Sequence, residues 1–321
     1  MPRPTAAPSA RLSRLRHDDT SLAAHAGPAV AVALGAGVLG AIQPKINAEL
    51  SERINSAVLA SVVNFAAAFA AVVVMLALRS NTRRTLAELR SWPVPRWTLT
   101  AGLGGTVVVL AGAVAVETIG VAIFSVAFFA GQISAGLVVD RLGIGPGGVR
   151  YLVPVRVAAA AIAIAAVLVS QVGRPVGEFA PALVACVVAA GAASAFQSAF
   201  NARIARAVGD AFAATAVNVV VGLSALVVIA GVVAGAGQFD GPQWPPEPWL
   251  YVGGVLGVTI VLSLAISTAG LGVLRATLAM LAAQLTAAFV VDWVVQHDPP
   301  TAGAVVGAAL IVVAVVLVRR S

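Results

Sequence analysis

The chain has 321 residues, 60% of them hydrophobic and 10% charged, with a mean hydropathy of +0.98. Soluble domains carry roughly 25% charged residues, and apolar runs of the length that crosses a hydrocarbon layer of about 30 Å recur here, so a soluble bundle is excluded in favour of a polytopic membrane protein. The net charge of +7 and pI near 11.1 do not indicate nucleic acid, because the arginines sit in short loops beside apolar spans, where topology signals lie.

Residues 1–25 are rich in Pro, Ser and Arg and lack an apolar run, which reads as a disordered cytoplasmic tail. The apolar run that follows is too long for a signal peptide and is read as the first retained span. Spans are expected at 28–48, 56–78, 97–117, 119–139 and 152–171, then at 180–202, 211–233, 249–269, 271–292 and 301–318. The fold class is therefore all-α, ten transmembrane helices in two sets of five: a tail (1–25), a first five-helix repeat (26–173) and a second (174–321). Two connections are long: a basic one at 79–96 with an amphipathic turn, and a Pro/Gly-rich irregular one at 234–248. Nineteen of the twenty basic residues are Arg, Lys45 being the exception. With the N-terminus inside, seventeen of the twenty fall on the cytoplasmic side, so both termini are expected there. Cys186, the single cysteine, reads as a small packing residue in a helix.

The first span carries Gln43 and Asn47, four apart and therefore on one helical face, and Asn64 follows in the second. Adding 154 to each number lands on Gln197, Asn201 and Asn218. With an offset of 152 the correspondence continues: Trp97, Gly102, Gly105, Gly120, Gln132 and Asp140 match Trp249, Gly254, Gly257, Gly272, Gln284 and Asp292. Because five is odd, the second copy enters from the opposite face, giving an inverted-topology repeat of the kind found in secondary transporters.

These residues resemble the YdcZ family (DUF606) of the drug/metabolite transporter superfamily: Gln43/Asn47/Asn64, Gly102/Gly105, then Gly131-Gln132 with Asp140, all repeated in the second copy except that Ala283 precedes Gln284. The resemblance covers about residues 30–318 and implies an inner-membrane carrier, usually called an exporter, here as a fused two-copy form of a five-helix unit. Glu117 and Thr118 stand where many relatives carry proline and a basic residue, so a role for that basic residue does not carry over.

An amide in a membrane helix needs a partner or a wet cavity. The eight amides Gln43, Asn47, Asn64, Gln132, Gln197, Asn201, Asn218 and Gln284 therefore fit either a substrate pathway or interhelical bonding. Uncharged amides suit neutral or zwitterionic solutes, or a polar head group. Pro44 frees a carbonyl one turn earlier. Lys45 either snorkels or gates. Glu117 either caps a helix end or couples transport to protons. Asp140 and Asp292 read as interfacial structural residues, and Arg275 as snorkelling. All three histidines lie outside the spans, and neither a Walker sequence nor a nucleophile–base pair is present, so no enzyme, catalytic residue, metal or cofactor is expected. The partners expected are a small-molecule substrate, with proton or ion coupling left open, and the lipid bilayer, for a monomer or homodimer. The leading reading is a carrier working by alternating access. A non-transporting scaffold or accessory subunit, or a flippase for a lipid-linked substrate, remains open as an alternative.

Overall fold

The computed structural model describes residues 8–320 except 93, 146–147, 150, 152, 174–179, 238–241, 296 and 298, with side chains from residue 27 onward apart from 265, 268–270, 272–274 and 318–320. Its helices are α1 (Pro8–Arg53), α2 (Ala57–Leu78), α3 (Thr82–Ser91), α4 (Ala101–Arg141), α5 (Pro154–Ser170), α6 (Pro181–Val208), α7 (Ala211–Gly235), α8 (Gly253–Val295) and α9 (Ala302–Arg320). Short 3-10 turns at Arg96–Thr100 and Pro248–Tyr251 hold Trp97 and Trp249 at the mouths of α4 and α8. The amphipathic turn expected in the basic loop is α3. Between Pro8 and Gly27 no helix breaker interrupts the chain, and α1 begins at Pro8, upstream of the expected span.

α4 and α8 each contain two of the expected spans. A straight helix of α4's length would run about 60 Å, twice the hydrocarbon thickness. It folds back instead. At Gly120 the backbone leaves the helical region (φ 78, ψ 159), a conformation that side chains disfavour. A methyl group added at Gly112 would lie 3.7 Å from the ring of Phe124, twelve residues on, which only an antiparallel second arm permits. α8 reverses likewise. Gly257 lies against Gln43 and Met280 against Gly37, so two positions of α8 more than twenty residues apart meet the same short stretch of α1. With both reversals the chain makes ten crossings. α1 ends on the same side as Gly120, called here the Glu117 face; the opposite side, with Arg79, Asp140 and Asp210, is the Arg203 face.

The two sets of five interlock. The most extensive helix contacts join α1 to α8 and α6 to α4, so the first helix of each set packs on the hairpin of the other. The register obeys the sequence offsets. Gly37 lies against the Met280 carbonyl and Gly191 against that of Phe128; Gly254 lies against the Asn64 carbonyl and Gly102 against that of Asn218. Small residues let backbones approach this closely, which is how helices associate in lipid. Gly303 and Gly307 bring α9 onto α5 at Val172 and Ala166 in the same manner. A valine at Gly191 would be driven into the Phe128 carbonyl, and overpacking of that kind costs about 1–3 kcal/mol. Gly136, on the same hairpin but facing open space, is the control: Gly136→Ala should be neutral or stabilising by up to ~1 kcal/mol. Denaturant unfolding of the two purified variants checks the contrast.

Side-chain bonds close the ends. Ser56 caps α2 by accepting from Leu59 N–H at 3.2 Å, and Asp210 caps α7 by accepting from Phe212 N–H at 3.0 Å. Asp210 also takes Arg79 at 3.0 Å and the Thr85 hydroxyl at 2.8 Å, tying α3 to the second set. On the Glu117 face, Arg53 bonds Glu49 and Glu247, at 2.6 and 2.5 Å, and lies over the ring of Trp249. That bond from Arg53 holds the Glu247 carboxyl below the usual carboxylate range. Exposed Val73, Val74, Leu168, Val228 and Val232 form the apolar outer surface expected against lipid chains. Cys186 belongs to that surface: it is exposed on α6, which corrects its reading as a packing residue.

Candidate functional site: an amide-lined cavity between the two sets

Where α1, α2 and α8 meet α4, α6 and α7, they leave a cavity of about 660 Å³. Seven of the eight amides line it: Gln43, Asn64, Gln132, Gln197, Asn201, Asn218 and Gln284. Helical periodicity explains the convergence. Ser194, Gln197, Ser198 and Asn201 make one stripe of α6 at spacings of three and four, and Phe124, Phe128 and Gln132 make one on α4.

The amides are held by cross-set contacts related by the two-fold. The Gln43 amide nitrogen would lie 2.6 Å from a methyl group at Gly257, and that of Gln197 lies 3.1 Å from the same position at Gly105. A side chain there would displace the Gln amide, because each Gln side chain lies across the backbone of the opposite hairpin. The Gln132 amide donates to the Ser194 hydroxyl at 3.3 Å, and its counterpart Gln284 lies over Gly40, the residue equivalent to Ser194.

One pair departs from symmetry. Asn218 donates through Nδ2 to Asn201 Oδ1 at 2.8 Å. In the equivalent pair, Asn47 Oδ1 and Asn64 Nδ2 are buried and make no such bond. Asn47 is 3% exposed, presses on the backbone of Gly253 and does not line the cavity, unlike Asn201. Asn64, Gly254 and Gly257 line the cavity, as does exposed Ser198.

Two charged positions are brought together that the sequence left separate. Lys45 Nζ bonds both carboxylate oxygens of Glu117, at 2.8 and 2.6 Å, with side-chain exposures of 12% and 27%. The repeat equivalents of these residues are Ala199 and Ala269, so the pair exists on one face alone. Asp292, expected at an interface, is 6% exposed and accepts from the N–H groups of Val121 and Ala122 at 2.7 and 2.8 Å. It caps the second arm of α4 where the chain turns at Gly120, and the positive end of that arm favours a carboxylate. Asp140 instead pairs with Arg156 at 2.8 Å, on the Arg203 face. Arg275 is exposed.

Sequence reasoning missed the hydroxyls Ser194, Thr215 and Thr277 and the aromatic wall of Phe124, Phe128 and Phe129. The aromatic stripe was visible one turn apart upstream of Gln132. Among the described residues no cluster of His, Cys, Asp and Glu could hold a metal ion, and no residue lining the cavity is charged.

Among solved structures, one described as "Crystal structure of protein" aligns with a TM-score of 0.54 at 20% identity, covering 92% of this chain and 98% of that one, a likeness of fold alone. No curated protein matches the chain. The family described as "Putative inner membrane exporter, YdcZ" matches residues 28–169 and again residues 182–317. Each match takes in one set of five crossings with its amides, its glycines and its hairpin, and the chain belongs to this family, in a fused two-copy form.

Proposed function

We propose that this inner-membrane transporter is a secondary carrier exporting a small polar or amphiphilic metabolite by alternating access. The observation that carries the reading is the cavity walled by amides from both sets, with exposed Ser198 in its lining. Gln43, Asn64, Gln132, Gln197, Asn201, Asn218 and Gln284 form the pathway, and Asn47 stands outside it against Gly253. The moving bodies are cross-set, α1 and α2 with α8 against α6 and α7 with α4, because the two most extensive helix contacts, α1 with α8 and α6 with α4, lie within these groups. The Arg203 face is cytoplasmic, since seventeen of the twenty basic residues lie on that side of the ten crossings. Lys45 and Glu117 hold the opposite gate shut. The Asn218–Asn201 and Gln132–Ser194 bonds are the observations that favour the alternative, a bundle-holding role, for those amides.

The test uses the full chain with Cys186→Ala and one added cysteine, in liposomes, treated with a membrane-impermeant maleimide. Ser198→Cys should be modified from the Arg203 face. Ala48→Cys, at a position wholly buried here, should be modified from the Glu117 face in the alternate state. A cysteine at 48 that is never reached, under any condition in which 198 is reached, contradicts alternating access. Gln43→Ala and Gln197→Ala should each cut transport of a solute found by thermal-shift screening by about tenfold or more, while stability falls by only about 0.6 kcal/mol. Uptake and unfolding measured side by side separate the two effects.

A further inference from the structure

The amides are duplicated across the two-fold, as are Gly105 with Gly257 and Val109 with Val261; the aromatic part of the cavity wall is not. Phe124, Phe128 and Phe129 line it from α4, and the residues equivalent to them on α8 are Ala276, Met280 and Leu281. The Phe124 and Phe128 rings stack with centroids 6.1 Å apart, 12° from parallel, and Phe129 meets Phe128 edge-on at 5.7 Å. The cavity therefore has hydrogen-bonding groups from both sets, and its aromatic lining, these three rings with Phe65 of α2, comes from the first set alone. Its polar groups are amides and hydroxyls, able to donate and accept but carrying no charge. Lys45, the residue after the cavity-lining Pro44, pairs with Glu117, and neither side chain lines the cavity. A solute with a formal charge would shed its water here without a counter-ion, and hydrogen bonds to neutral groups do not offset that cost.

We propose that the cavity takes an uncharged amphiphile: an aromatic or branched apolar body against the phenylalanine wall, and a neutral hydrogen-bonding end such as an amide, a carbamate or a polyol among Gln43, Gln197 and Gln284. This rests on reading the cavity as the substrate site. It excludes carboxylates, phosphates and ammonium compounds of the same size. Selectivity follows from leaving the wrong solute's charge unpaired rather than from a special contact with the right one.

The probes are phenylbutyramide, phenylbutyrate and phenylbutylammonium, one skeleton carrying no charge, a negative charge or a positive charge. The full chain with Cys186→Ala and Ser198→Cys, and separately with Thr215→Cys, is placed in nanodiscs and the rate of maleimide modification is measured against probe concentration. The amide should protect both cysteines at a concentration about tenfold or more below that needed for either ion. Phe128→Ala should raise the amide's half-protecting concentration by about fivefold or more, as loss of an aromatic contact predicts. Equal or better protection by an ion, or no protection by the amide at either cysteine, overturns the proposal. An ion that protects leaves the carrier reading intact, because labelling at position 48 needs no ligand; protection by the amide without labelling at 48 keeps the binding site and removes the carrier.

Discussion

Asp292→Ala is expected to be the most damaging single substitution in the chain. The carboxylate takes two backbone N–H groups at the start of the second arm of α4, in a site that is 6% exposed. Charge-assisted hydrogen bonds contribute about 1.5–3 kcal/mol each, and alanine would leave both donors buried without a partner. The loss should total about 3–5 kcal/mol, a large part of the 5–15 kcal/mol that holds a typical protein together. Asp292→Asn keeps the shape and one acceptor but turns an amide donor towards an N–H, so it should fall between, at about 2 kcal/mol. Denaturant unfolding of the purified variants orders the three. An alanine variant within about 0.5 kcal/mol of the parent would show that the turn at Gly120 holds without its cap.

The second large effect belongs to Lys45 and Glu117. Removing one member of a buried pair costs about 3–5 kcal/mol; with Glu117 about a quarter exposed the figure falls to about 2 kcal/mol, or about thirtyfold in an equilibrium. In the alternating-access carrier proposed above, only the state closed at the Glu117 face needs the pair. Lys45→Gln or Glu117→Gln should therefore raise the labelling rate of a cysteine at position 48 by about thirtyfold. The exchange Lys45→Glu with Glu117→Lys restores attraction and should bring the rate back towards the parent's. Singles that label like the parent, or an exchange that labels like the singles, would make the pair a bystander.

Much of this was legible in the residues. The offsets of 154 and 152 put Gln43 with Gln197 and Gln132 with Gln284, and the same offsets order the backbone contacts of Gly37 and Gly191, so periodicity within one copy predicted packing between the two. Spans 97–117 and 119–139 were separable because Glu117 and Thr118 interrupt the apolar run, although the backbone joins them without a loop and turns at Gly120. What the sequence could not supply was pairing between distant residues. Lys45 and Glu117 are 72 positions apart, and each taken alone fits a snorkelling or capping role. Asp292 was assigned to an interface because it ends an apolar run; its partners are backbone N–H groups, which leave no mark on the sequence. Asn47 was grouped with the lining amides by its face on α1, and the close approach of Gly253 is what sets it behind them. Cys186 was misplaced because in lipid an apolar residue gains nothing by being inside, so apolarity there does not report burial.

The interlocking of α1 with α8 also constrains how the chain is made. α1 enters the membrane first, yet the residues that cover Gly37, Met280 to Gln284, are synthesised about 240 positions later. Until then Gln43 and the small-residue stripe of α1 face lipid or a temporary neighbour. Neither half can finish folding alone, since each withholds the helix the other's hairpin packs against. A half-length chain could fill the vacancy only with a second copy inserted upside down. Fusion removes that demand for insertion in two orientations and replaces it with a long wait for the first helix, which makes the insertion machinery, or a helper that shields α1, part of this protein's assembly.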